Sequence, residues 1–315
     1  MRRSMEGSNL KWRNSAVRPL IILACCAAGA FPQAPQPDGA GLQRGVLPGH
    51  WITGGPDCAT VPKWQVHAYN PDFYILRESG CTNYEKPFLY LFFGSERVLL
   101  QDTGAGETNV AEIVNQTIAE WLRRNRRQSI PLIVAHSHGH GDHVSGDVQF
   151  AGQPDTTVIP LSVEGTQNAF GIRRWPEDRG SLDLGNRILD VIAIPGHQPF
   201  SVAFYDRLTG VLLTGDTLYP GRLYVSDFAA YRASIQRLVD FTHDKPVAHI
   251  LGCHVEQSNT PFLDYPVGTK YQPEEHVLEL SRAHLVELNE ALQSMNGDPV
   301  RYALRDFTIW PREPR

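Results

Sequence analysis

The eight residues His136 to His143, "HSHGHGDH", hold four histidines and one aspartate, and they constrain the fold more than any other stretch. Imidazole and carboxylate are suitable ligands for zinc, iron or manganese, and no thiol lies in the cluster. The run leaves "PLIVA", an apolar stretch with the character of a buried strand. Three other apolar runs also end on a candidate ligand: "IAIPGH" at His197, "LLTGD" at Asp216 and "ILGCH" at His254. One such cluster fits a polar surface loop with incidental histidines. Four, each closing a strand-like segment, predict strand ends that converge on a metal centre. Neighbouring side chains on a loop diverge, so two of the cluster's histidines can serve one ion while Asp142 and His143 serve a second.

The rest of the chain supplies strands and helices in alternation. "FYILRES", "FLYLFFG" and "RVLLQDTG" read as successive strands, with Gly94 and Ser95 as a hairpin-type turn. Val110, Ile113, Val114, Ile118, Trp121 and Leu122 recur at helical spacing, and the basic residues Arg123 to Arg127 suit a helix C-terminus. Further strands are expected at "TTVIP", "RILDVIAIPGH", "SVAFYD", "GVLLTGD" and "AHILGCH", with helices near 162–170 and 227–241. A last long helix is expected over 273–295, stopped by "NGDP", followed by "YALRDFTIW" as a final strand. Two batches of strands, each interleaved with helices, predict an α/β protein with two packed sheets and helices outside them.

Residues 1–30 read as a secretory signal peptide. Arg2, Arg3, Lys11, Arg13 and Arg18 precede the apolar "PLIILACCAAGAF", and "AGA" ending at Ala30 suits cleavage. The apolar run is shorter than the roughly 20 residues a spanning helix needs, so no stable membrane insertion is expected after cleavage. The alternatives are a lipoprotein box in "ILAC" at Ile22 to Cys25 and an uncleaved tether. Residues 31–55, rich in Pro, Gly and Gln, read as a flexible lead-in to a domain over 56–315. The segment 1–30 holds five basic residues and one acidic one, so its removal moves the net charge from −5 to −9. A chain that acidic is a poor partner for a phosphate backbone, and a small-molecule substrate is expected instead of nucleic acid. In an oxidising secreted or periplasmic setting Cys58 and Cys81 are free to pair, the alternative being two separate thiols, while Cys253 is left over.

Taken together, the motifs resemble the metallo-β-lactamase superfamily. Its H-x-H-x-D-H signature matches His138 to His143, and the likeness runs on through "DTG" at Asp102, "PGHQPFS" at His197, "GDTLY" at Asp216 and His254. The resemblance implies an αββα sandwich with a hydroxide shared between two divalent cations, zinc foremost, with iron or manganese as alternatives. It puts His138, His140 and His197 on one ion, Asp142, His143 and His254 on the other, and Asp216 between them. It makes Asp142 the residue that orients the nucleophile and relays its proton. His136 and Asp102 are expected to support the ligands without binding metal, and Cys253 to be buried filler.

Within the superfamily, the aspartate at 216 speaks against the antibiotic-destroying branches, which resemble this chain less there. "GDTLY" resembles the corresponding motif of glyoxalase II, a thioester hydrolase. Tyr219 resembles the position at which lactonases carry a tyrosine that hydrogen-bonds the substrate carbonyl. The expected enzyme is therefore an exported dinuclear hydrolase of an ester, lactone or thioester. Tyr219 is read either as a carbonyl donor or as a packing residue. Arg222, Tyr224 and His276, on segments read as loops overhanging the site, are candidate substrate contacts. Two other readings stay open: a β-lactamase-type amide hydrolase, and a mononuclear iron sulfur oxygenase resembling the glyoxalase branch.

Overall fold

The computed structural model describes residues 41–312, and the expected signal segment 1–30 lies outside them. Along the chain run β1 (Trp64–Asn70), β2 (Phe73–Glu78), β3 (Phe88–Phe93), β4 (Val98–Gln101), α1 (Val110–Arg124), β5 (Leu132–Ala135), α2 (Gly141–Val144), β6 (Thr156–Val158) and α3 (Val163–Phe170). They are followed by β7 (Arg179–Asp183), β8 (Ile188–Ala193), β9 (Val202–Asp206), β10 (Val211–Gly215), β11 (Arg222–Val225), α4 (Phe228–Phe241), β12 (His249–Gly252), β13 (Glu279–Leu280), α5 (Arg282–Ser294), β14 (Tyr302–Ala303) and β15 (Thr308–Pro311). β1 to β6 form one sheet in chain order, and a second has the order β13-β12-β10-β9-β8-β7. No helix among the described residues is long and apolar enough to cross a membrane.

The central strands are apolar on both faces because both faces are covered. In β2, Phe73 and Ile75 point between the sheets, where they meet Leu189, Val191, Phe204, Val211 and Leu213 from the second sheet. The alternate residues Tyr74 and Leu76 pack outward with Val110, Val114 and Trp121 of α1. On the opposite outer face, Ile192, Ala203, Leu212 and Ile250 meet Tyr231, Ile235 and Leu238 of α4 and Leu285, Leu288 and Leu292 of α5. These three apolar layers separate four layers of structure, the αββα sandwich expected from the sequence.

Several local expectations need correction. The last helix begins at Arg282, not near Pro273. Buried Leu278 and Leu280 flank a less buried Glu279, a two-residue period that β13 uses to pair with β12, and Ser281 with His284 then closes a capping box. "YALRDFTIW" is a hairpin, β14 and β15, turning at Arg305 and Asp306. "RLYV", expected to be an overhanging loop, is β11, and it pairs in parallel with β15 to make a small third sheet. The described part of the expected flexible lead-in is bound to the domain: Val46 N donates to Tyr69 O at 2.9 Å, and Trp51 packs edge-on against Phe88. Its Pro and Gly content produces irregular backbone that still packs a partly buried aromatic anchor against the core. Cys58 and Cys81 form a disulfide closing a span of 23 residues, and Cys253 is a buried free thiol.

Candidate metal centre

Every candidate ligand sits just beyond the C-terminal end of a strand or on the loop that follows. β5 leads into His136, and the signature loop turns at Gly139, where a Cβ would come within 2.5 Å of the Phe200 ring. His140 then precedes the single turn of α2, which carries Asp142 and His143. β8 leads to His197, β10 to Asp216 and β12 to His254. Gly215 takes φ +53° against Ser137, where a Cβ would lie 2.7 Å from the serine Cβ, so the two ligand loops meet at van der Waals range.

Two clusters result. One ligand atom each from His138, His140, His197 and Asp216 lie within 4.8 Å of one another, and so do atoms of Asp142, His143, Asp216 and His254. Asp216 belongs to both. Its Oδ2 faces His138 and His197 Nε2 at 3.6 Å, while its Oδ1 faces His143 and His254 Nε2 at 3.4 and 3.3 Å.

The ring nitrogens settle what these clusters suit. His138 Nε2 and His197 Nε2 each lie 3.0 Å from His140 Nδ1, and His254 Nε2 lies 3.2 Å from His143 Nε2. Four of the five rings turn their other nitrogen outward onto an acceptor: His197 Nδ1 on Tyr224 O at 2.8 Å, His254 Nδ1 on Glu85 O at 2.9 Å, His143 Nδ1 on Asp102 Oδ2 at 3.0 Å, and His138 Nδ1 on Ser137 Oγ at 3.0 Å. An N–H donated outward leaves a lone pair on the inward nitrogen, and crowded inward lone pairs are what a cation relieves. Asp216 Oδ1 is buried without a hydrogen-bond partner among the described residues. The donor set therefore fits divalent cations of the zinc type.

Electrostatics divide the two clusters. Burial drives His197 down to about 4 despite the pull of Asp216, and burial with the neighbouring His143 holds His138 well below the ordinary imidazole value. At the second cluster burial also opposes charge, but Asp216 and Asp142 outweigh it and raise His254 to about 9. Asp142, Asp216 and Asp102 do the same for His143. Burial works against ionisation of Asp142 too, yet the charge of His143 and hydrogen bonds from His143 and His254 hold it far below the usual carboxylate range. The carboxylates thus collect positive charge at the positions a cation would take.

The residues expected to support the ligands lie beside the two clusters. Asp102, in the left-handed region at φ 66°, accepts from Ser137 N at 2.7 Å and Ser137 Oγ at 2.8 Å besides its contact with His143. His136 Nε2 is 2.8 Å from Asp147 and binds neither cluster. Cys253 Sγ donates to Asp102 Oδ2 at 3.3 Å, and burial pushes its thiol far up, so it is no nucleophile. Asp102→Asn is expected to weaken metal affinity by about 10- to 100-fold by freeing His143 and Ser137. Competition with a chromogenic chelator would measure it.

Three expected substrate contacts are placed otherwise. The Tyr219 ring sits edge-on to His254 and lines the cavity, but its hydroxyl is donated to Arg222 O, so it is not the free carbonyl donor proposed from the motif. Arg222 is 4% exposed, with its guanidinium on Glu256 at 2.8 Å, on Asp264 and on Tyr265 O, because β11 buries it. His276 binds Val277 O and Asp306 away from the cavity. Tyr224 does line the cavity, which measures about 730 Å³ and opens over His140, Asp142, His197, Asp216 and His254. Glu85, Ser226, Glu256 and Arg312 complete its wall. Sequence reasoning missed these four; only Glu256, two residues past His254, had a nearby motif to flag it.

Residues 87–254 match the family described as "Metallo-beta-lactamase superfamily". The chain is 24% identical over 227 residues to the acyl-coenzyme A thioesterase MBLAC2 of Bos taurus, covering 61% of this chain and 81% of that one. It is 27% identical over 171 residues to a hydroxyacylglutathione hydrolase of Chelativorans sp. (strain BNC1), covering 52% of this chain and 64% of that one. Among solved structures, the metallo-beta-lactamase FIM-1 from Pseudomonas aeruginosa, in its mono-zinc form, superimposes with a TM-score of 0.50 at 16% identity, covering 76% of this chain and 99% of that one. That last likeness is one of fold.

Proposed function

The chain belongs to the metallo-beta-lactamase superfamily, and on that premise we propose that it is an exported hydrolase that holds two divalent cations and cleaves a thioester, ester or lactone. The observation that carries the reading is the Asp216 carboxylate, whose two oxygens each face a different group of inward ring nitrogens. His138, His140 and His197 would hold one cation and Asp142, His143 and His254 the other, with Asp216 shared. When bound, such a pair supplies a nucleophilic hydroxide near neutral pH and polarises the substrate carbonyl.

The protein's own groups do the rest. Asp142, its side chain 20% exposed at the cavity floor, is placed to accept a hydrogen bond from the attacking water and orient it. It lies 3.2 Å from His143 Nε2 and 3.1 Å from His254 Nε2, within reach of the cation that those rings would hold. Asp102, Ser137, Tyr224 O and Glu85 O fix the imidazoles so that the ligands need not reorganise during turnover. The Tyr219 ring stands edge-on to His254 in the cavity wall. No serine or cysteine nucleophile is required, and the buried Cys253 is unsuited to the role.

Thioesters head the substrate classes because two relatives are named for coenzyme A and glutathione thioesters. Export rests on the basic and apolar start of the chain and on the Cys58–Cys81 bridge, which persists in oxidising compartments. We place the enzyme in the periplasm or outside the cell.

The test pairs elemental analysis of the purified protein with a panel of thioester, lactone and cephalosporin substrates. About two zinc ions per chain are expected. Dialysis against a chelator should abolish thioester or lactone turnover, and added zinc should restore it. One iron per chain, with thiol-dependent oxygen uptake and no hydrolysis, would overturn the reading in favour of sulfur oxygenation.

A further inference from the structure

Among the residues lining the cavity over the two clusters, Arg312 is the sole lysine or arginine. It follows directly on β15, whose parallel pairing with β11 carries it to the cavity mouth, and its own N–H donates to Val225 O at 2.8 Å. Its guanidinium carbon lies 5.0 Å from the centre of the Tyr224 ring, a stacking that fixes the head group without neutralising it. Among the described residues Arg312 has no ion-pair partner. Arg222, by contrast, is tied to both Glu256 and Asp264.

The cavity is polarised. Tyr224, beneath Arg312, holds His197 through its carbonyl, so Arg312 stands on the side of His138, His140 and His197. Glu85 holds His254 through its carbonyl and also lines the cavity. Arg312 is thus where an incoming anion meets a lining side chain of opposite charge.

We propose that Arg312 is a specificity-determining residue that receives an anionic group, such as a carboxylate, of the hydrolysed substrate at the mouth of the cavity. The inference rests on the hydrolase reading above and narrows its substrate class to acidic thioesters or esters. A carboxylate meets the planar guanidinium in a charge-assisted hydrogen bond, while an uncharged analogue has only the Tyr224 ring to lie on.

The experiment compares S-acetyl-3-mercaptopropionate with its methyl ester, which share a scissile thioester and differ in charge, with turnover read as thiol release. The readout is the ratio of kcat/KM for acid over ester in the zinc-loaded wild type, Arg312→Gln and Arg312→Lys. The ratio is expected to fall about tenfold in Arg312→Gln, mostly through KM, and to be partly kept in Arg312→Lys. Calorimetric binding of N-acetyl-β-alanine, the amide counterpart of the acid, and of its methyl ester supplies a readout free of turnover. Thioester cleavage with an unmoved ratio overturns the Arg312 proposal and leaves the hydrolase reading standing. No cleavage of this pair or of any member of the thioester and lactone panel, with N-acetyl-β-alanine binding weakened about tenfold in Arg312→Gln and its ester unaffected, overturns the hydrolase reading and keeps the anion site. Neither cleavage nor Arg312-dependent binding overturns both.

Discussion

Asp216→Ala is expected to remove at least one cation per chain and to lower turnover by on the order of 10³-fold. A cation's stabilisation of transition-state charge is worth several kcal/mol, and about 1.4 kcal/mol corresponds to a factor of ten in rate. The loss should exceed that of removing one histidine, because Asp216 faces both clusters and each of its oxygens meets two ring nitrogens. Elemental analysis read beside kcat/KM on the same samples checks the outcome. Full metal content with full turnover in the alanine variant would remove Asp216 from the site.

The largest stability effect is expected at Arg187. Its side chain is 1% exposed, and its Nε and Nη2 donate to Asp206 at 3.2 and 3.0 Å. Nη1 reaches the carbonyls of Asp72 and Phe93, so the residue joins the ends of β3 and β9 from different sheets. Arg187→Met takes the guanidinium from the Asp72 and Phe93 carbonyls and leaves the buried Asp206 carboxylate without its counter-charge, with only Thr209 Oγ1 and Leu208 N as donors. Breaking one side of such a pair costs about 3–5 kcal/mol. Urea unfolding at saturating zinc, which holds the linkage to metal constant, should show the loss. Adding Asp206→Leu to Arg187→Met is expected to recover part of it, since the uncompensated charge is then gone. A single variant as stable as wild type would show that the pair merely breaks even with water.

What could be read from the chain alone followed the range of the interactions involved. The candidate ligands were legible because each group of them closes a short apolar run: a strand buried on both faces announces itself, and the polar residues at its end stand out. The four layers were legible for the same reason, from "FLYLFF" and "VLLTG" above all. β1, "WQVHAYN", was not singled out, because its exposure is mixed and no two-residue alternation survives. β13 is two residues long, shorter than any pattern, and only its pairing with β12 makes it a strand. Tyr219 shows a different limit. Its motif gave its position but not the direction of its hydroxyl, which Arg222 O and Glu256 decide. Arg312 belongs to no motif; parallel pairing between residues some 90 positions apart brings it to the cavity.

The origin of the seven candidate ligands bears on how this protein matures. Four, His138, His140, Asp142 and His143, follow β5 of the first sheet, and three, His197, Asp216 and His254, follow strands of the second. Neither sheet alone assembles either cluster, and the contacts that do span 57 residues between His140 and His197 and 111 between His143 and His254. Contacts that close such long loops are slow to form. Under the proposed ligand assignment, capture of a full metal complement therefore marks the end of folding, and a chain stalled with one sheet formed would emerge as a weak metal binder rather than as a half-active enzyme.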